Sequence, residues 1–228
     1  MLMNFFFSVV AFLCISSSLK ADHFDEKTAK IISLGGTCHT AIALRDLNFR
    51  KDAFPFDWVI STNHVNFIRI LHEDFYNFLD ESSFETINGI PTRLNRYYHL
   101  DFPHDFGCSE DPQAEWILFQ EKYSRRIERF RSLRSYKGKV FFIRVLWSQP
   151  IENAQGQFQE NFKRTLEIRD ALDQYFPELD YTLVIWSHSD LDIPPLKPLE
   201  RVIELKIPKA YYPFHDIMIQ LLADRILM

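Results

Sequence analysis

The chain has 228 residues, of which 46% are hydrophobic and 25% charged, a balance that excludes a disordered tail and supplies one substantial core. Its formal net charge of −5 excludes wholesale electrostatic binding to nucleic acid or to an anionic membrane. Three cysteines are too few for a disulfide-dense mini-fold or a four-cysteine zinc site, and no spacing of ligand-type residues calls for a metal or another cofactor.

Apart from Ser8, Phe5 to Ile15 is an unbroken apolar run. It is shorter than the roughly 20 residues that a membrane-spanning helix needs. Ser16-Ser17-Ser18-Leu19-Lys20-Ala21 follows, and then the acidic Asp22-His23-Phe24-Asp25-Glu26. This is the shape of a secretory signal covering residues 1–21, cut after the small Ala21. The expected product is an exported chain, periplasmic or secreted, with no stable membrane partner. The alternative is an uncleaved segment that tethers the protein. Cys14 leaves with the signal, so Cys38 and Cys108 remain. No linker rich in Pro, Gly or Ser divides residues 22–228, which read as one domain.

Lys30 to Leu34 is a short apolar run that stops at Gly35-Gly36. Cys38 to Leu47 reads as a helix, and Asn63 to Leu79 as a second one, capped by Ser61 or Thr62. From Glu81 to Asp111 the pattern is irregular, with a strand expected only over Arg96 to Phe102; so long a loop is suspect as a functional region. Gln113 to Arg134 is an amphipathic helix with Trp116, Phe119, Tyr123, Ile127 and Phe130 on one side. Lys122, Arg125, Arg126, Arg129, Arg131 and Arg134 lie on the other, a solvated face rather than a polyanion site because Glu121 and Glu128 interrupt it. Lys139 to Val145 and Thr182 to Trp186 are apolar runs expected of strands buried on both faces. Between them, Phe158 to Phe176 is a helix with Phe162, Leu166, Leu172 and Phe176 in register. Val202 to Leu205 is a shorter strand, and His215 to Ile226 a closing helix.

Strands separated by helices of this length predict parallel pairing. The expected fold is therefore α/β, a mostly parallel sheet flanked by helices in a single domain. Reactive groups in such sheets gather beyond the carboxyl ends of the strands. Gly35 to Cys38, Arg144 to Ser148 and Ser187 to Asp190 all fall there.

Cys38 follows a glycine turn at a helix N-terminus, where unpaired N–H groups and the helix dipole favour a thiolate. The same N–H groups could hold an oxyanion. Cys38 then reads as a nucleophile, as an inert packed thiol, or as half of a disulfide with Cys108. His23 falls in the presumed linker, and His64 and His72 read as surface or packing residues. His39 adjoins Cys38 but points elsewhere, which leaves His99, His104, His188 and His215 as candidate bases. Asp57, in Phe54-Pro55-Phe56-Asp57-Trp58, has apolar neighbours and needs a partner. That partner could be a helix N-terminus, Arg144 or a catalytic histidine, unless Asp57 merely caps a turn; Arg144 could instead hold a substrate carboxylate or phosphate.

Ser33-Leu34-Gly35-Gly36-Thr37-Cys38, Phe54-Pro55-Phe56-Asp57-Trp58-Val59-Ile60-Ser61 and Pro103-His104-Asp105-Phe106 together resemble a bacterial domain family of unknown function labelled "putative papain-like cysteine peptidase". Tyr123-Ser124-Arg125-Arg126-Ile127-Glu128-Arg129-Phe130 and Phe141-Phe142-Ile143-Arg144 fit the same pattern, and the resemblance runs from about Lys30 to Leu205. It implies that Cys38 is the nucleophile and His104 the base, with Asp105 or Asp57 orienting the imidazole. The substrate would be a peptide, isopeptide or other amide, with or without an anionic group, met by Gly35, Gly36, Trp58 and Arg144. The resemblance also implies a papain-like α+β fold as the alternative to the alternating pattern. Other readings of the same residues are a non-catalytic anion- or glycan-binding module with Trp58 and Tyr98 lining the site, a transferase in surface-polysaccharide assembly, and a disulfide-bonded interaction protein.

Overall fold

The computed structural model describes residues 29–107, 110–147, 153–189 and 199–208. The expected signal, Cys14, Cys108 and the expected closing helix with His215 lie outside them. In chain order the elements are β1 (Lys30–Ser33), α1 (His39–Asp46), α2 (His64–His72), β2 (Phe84–Ile87), β3 (Ile90–Asn95), β4 (Leu100–Asp101), α3 (Pro112–Ser132), β5 (Val140–Leu146), α4 (Ala154–Tyr175), β6 (Tyr181–Ser189) and β7 (Val202–Pro208).

Strands β1, β5, β6 and β7 form one sheet in that order, and every pair is parallel. The mostly parallel α/β sheet expected from the alternation is the observed one. All seven residues of β5 are buried, because successive side chains leave on opposite faces and both faces are covered. Val140, Phe142 and Leu146 pack with α2, α3 and α4, whereas Phe141, Ile143 and Val145 pack with Ala43 and Leu44 of α1. By parity Arg144 belongs to the first of these faces, amid an otherwise apolar row. Among the described residues no helix is long and apolar enough to cross a membrane.

The Glu81–Asp111 segment corrects the expectation of a long loop. It holds a three-stranded antiparallel sheet, β2-β3-β4. Asn88 and Gly89 close its first hairpin at φ 53° and 79°, the left-handed pair that a two-residue hairpin turn demands. The aromatic run read as a strand is mostly a tight turn that delivers Tyr98, Leu100 and Phe102 to the core. Helix α2 also ends sooner than its apolar spacing suggests. Asp74 and Phe75 turn to φ 46° and 63°, a conformation no helix can propagate, yet Phe75 and Phe78 remain buried. Its cap is Asn63, whose Oδ1 accepts from Val65 N at 2.9 Å; Ser61 serves elsewhere.

The basic row of α3 is largely occupied in fastening loops. Lys122 pairs with Asp105, Arg131 and Arg134 with Asp74, and Arg129 donates to Ala53 O. On α4 the register differs from expectation. Phe162 and Leu166 are only partly buried, and the inward stripe runs Gln157, Asn161, Arg164, Ile168, Leu172 and Tyr175. Its carboxyl half meets the apolar core, and its amino half presents polar groups to the interior.

Candidate active site

Two glycines carry the chain from β1 into α1, at φ 79° for Gly35 and 99° for Gly36. Space as well as backbone angle requires them. A Cβ on Gly35 would lie 2.8 Å from Ser61 Oγ, and one on Gly36 2.9 Å from both the Cβ and the carbonyl oxygen of Val145. The turn is pressed between β5 and the loop ending at Ser61. Val145 N donates to Gly35 O at 3.3 Å, and Ser61 N to Gly36 O at 3.3 Å. Gly36 N donates in return to Ser61 Oγ at 3.2 Å.

Arg144 locks this arrangement from below. One Nη donates to Leu34 O and, at 3.1 Å, to Ser61 Oγ; the other donates to Ser61 O. The guanidinium lies 4.4 Å from the Phe67 ring centre, a cation–π contact. Arg144 is fully buried, and burial, reinforced by nearby Arg164, pushes its pKa down to about 9. The ion pair with Asp57, one of the pairings open from the sequence, does not form. Asp57 Oδ2 accepts from Arg50 Nε at 3.0 Å and Phe54 N at 2.9 Å. Burial raises the Asp57 carboxyl, while the Phe54 N–H and Arg50 oppose it.

Cys38 is the N-cap residue of α1, with its carbonyl accepting from Ile42 N at 3.0 Å and no side-chain cap on the helix. Its thiol is free and half-buried. Thr37 Oγ1 and His39 Nδ1 meet at 3.1 Å on either side of it.

His104 is exposed on the turn after β4, its ring edge-on to Trp58 with centroids 5.6 Å apart. Arg50 lies 5.4 Å from the same Trp58 ring. Asp105 is buried and accepts from Lys122 Nζ at 2.7 Å and Tyr123 OH at 2.8 Å. Among the described residues, Asp57 and Asp105 thus accept from partners other than a histidine, and no hydrogen bond joins Cys38 to His104. The bridge between Ile60 and Asp101 ties the His104 turn to Ser61, and so to Gly36. Tyr98 is completely buried and donates to Glu73 Oε2 at 2.8 Å, so it does not line a site. The side chain of His188 lies outside the described residues. No group of three or more His, Cys, Asp or Glu able to hold a metal occurs among the described residues.

One histidine–carboxylate pair has no signal in the sequence. His64, the first residue of α2, meets Glu167 of α4 with Nε2 and Oε2 2.9 Å apart. Burial lowers the His64 pKa, and the Glu167 hydrogen bond opposes that shift. A histidine depressed below its ordinary 6.5 binds fewer protons folded than unfolded. Its contribution to stability is present above about 6.5 and is lost as pH falls through the folded value. Thermal unfolding from pH 7.5 down to 5 should therefore show a declining Tm, and His64→Asn should flatten that decline. An unchanged slope in the variant would assign the pH dependence to other groups.

Cys38 is thus a free thiol at a helix N-terminus, set beyond the carboxyl end of a parallel strand on a locked glycine turn. The chain belongs to the family described as "putative papain-like cysteine peptidase", whose model matches residues 29–190. That stretch contains every site residue described above. The chain is also similar to Uncharacterized protein R408 of Acanthamoeba polyphaga mimivirus, with 32% identity over 133 residues. The match covers 50% of this chain and 60% of that protein. No solved structure matches.

Proposed function

We propose that this protein is a cysteine hydrolase acting on a peptide or other amide bond, with Cys38 as nucleophile and His104 as general base. The observation that carries the reading is the free Cys38 at the mouth of α1, directly after the double-glycine turn. His104 takes the thiol proton, and sulfur attacks the amide carbonyl carbon. The first-turn N–H groups of α1 hold the oxyanion. The C–N bond breaks as the imidazolium returns its proton to the leaving amine, and water then hydrolyses the thioester. Trp58, between Arg50 and His104, offers the substrate an apolar wall. Asp57 and Asp105 act one step back, fixing the Trp58 and His104 turns through Arg50, Lys122 and Tyr123. In the same reading, removal of residues 1–21 delivers the enzyme outside the cytoplasm.

Iodoacetamide labelling of native protein, mapped by mass spectrometry, tests the assignment. An activated cysteine is alkylated rapidly below about pH 7, where an ordinary thiol of pKa ~8.5 is almost wholly protonated. Cys38 should label in that range, and His104→Ala should slow it by about tenfold or more. A Cys38–Cys108 linked peptide, or a Cys38 that labels no faster than a model thiol, would overturn it.

A further inference from the structure

The inward stripe of α4 carries an excess of unused donors. Arg164 is 1% exposed, and its Nη1 donates to Trp147 O at 2.9 Å, just beyond β5. Its Nε–H has no partner among the described residues. Asn161, also 1% exposed, accepts from Gln157 Nε2 at 3.0 Å through Oδ1, while its Nδ2 is unpartnered among the described residues. The Nε of Arg144 is a third buried donor without an acceptor there.

The charge balance points the same way. Among the described residues, the charged group that bears on Arg144 is Arg164, another cation. Glu160 and Glu167 bear on Arg164, but Glu167 is shared with His64 and Lys163. Among the described residues, two buried guanidinium groups therefore face an interior with spare N–H groups and too little negative charge. Buried cations and donors ordinarily find acceptors. A carboxylate or phosphate fits this deficit, since its oxygens match the guanidinium fork and accept from an amide at the same time.

We infer that the carboxyl edge of the sheet holds a recognition site for an oxyanion group, with Arg164 and Asn161 as its contacts. Arg144 is not the contact expected from the sequence, because both its Nη groups are spent on Leu34 and Ser61; it positions the site from beneath. The inference deepens the hydrolase reading and rests on it only in treating the ligand as substrate: the amide acted on belongs to a molecule bearing a carboxylate or phosphate.

The test uses full-length Cys38→Ser protein, so that binding is read without turnover. Thermal unfolding and calorimetric titration are run at constant ionic strength with inorganic phosphate, and separately with acetyl-Ala-Ala and its C-terminal amide. Phosphate or the free acid should raise Tm with concentration, and the amide should not. A response to phosphate alone assigns a phosphorylated ligand, and a response to the acid alone assigns a substrate carboxylate. Arg164→Gln should weaken binding by about tenfold or more. Glu160→Gln, which removes a partly exposed competing charge, should tighten it by about threefold. Should Arg164→Gln fail to fold, Asn161→Ala must weaken binding by about threefold. The inference is overturned if neither anion shifts Tm or if these variants bind as the parent does. Retained anion binding alongside an inert Cys38 would overturn the hydrolase reading alone.

Discussion

Gly36→Ala should lower stability by about 2–5 kcal/mol, from ~1–2 for a left-handed non-glycine residue and ~1–3 for overpacking. The added methyl group would sit 2.9 Å from the Val145 carbonyl oxygen, which is backbone of a strand paired on both sides. Relief requires β5 to move or the turn to open, and either displaces Cys38 two residues later. A domain with a total stability of only ~5–15 kcal/mol loses a large part of it. Gly89→Ala is the matched control, for that glycine has φ 79° and a methyl group there would meet nothing within 4 Å. It should cost only about 1 kcal/mol, the conformational part alone. Urea midpoints of the two variants separate the contributions. Equal losses would mean that close packing at Gly36 adds nothing.

Arg144→Met should cost about 2–4 kcal/mol, because it strands the buried carbonyls of Leu34 and Ser61 at roughly 1–3 kcal/mol each and recovers part of that by removing a buried charge. Two effects compete here. Burial of an uncompensated cation destabilises the native state, and hydrogen bonds to three acceptors on two separate loops stabilise it. The acceptors dominate, since water cannot reach them once the side chain is gone. Arg144→Lys decides whether charge or geometry matters. A single ammonium retains the charge, but it lacks the planar fork that spans Leu34 O, Ser61 Oγ and Ser61 O. Its urea midpoint should fall near that of Arg144→Met. A midpoint near wild type would show that the positive charge suffices. Both variants should also blunt the pH profile of Cys38 labelling, because Ser61 holds Gly36.

Much of the architecture was legible in local pattern. Two-sided apolar runs marked β5 and β6, periodic helices of crossover length implied parallel pairing, and Gly35-Gly36 marked the turn ahead of Cys38. The hairpin at Asn88-Gly89 was missed: its dipeptide is a turn signal, but its strands are short and lack a clean alternation of apolar and polar residues. The early end of α2 was missed too, because Asp74 and Phe75 keep apolar spacing in view while the backbone leaves the helix. On α4, Phe162 and Leu166 drew attention to the wrong stripe. Polar Gln157, Asn161 and Arg164 occupy the inward face, where hydropathy alone would never put them.

The chemistry of the site divides along the same line. Residue type and spacing were enough to single out Cys38 and the glycines, because helix N-termini and left-handed turns are local facts of the backbone; the choice of His104 among four histidines rested on the family resemblance. The partners were not legible. Arg144 reaches across 110 residues to Leu34 and 83 to Ser61, and His64 across 103 to Glu167. A charged side chain takes whichever partner the packed chain brings within about 3 Å. Which one that is depends on how strands and helices cross, so Asp57 went to Arg50, Asp105 to Lys122 and Tyr123, and Arg144 to three oxygens rather than to a carboxylate.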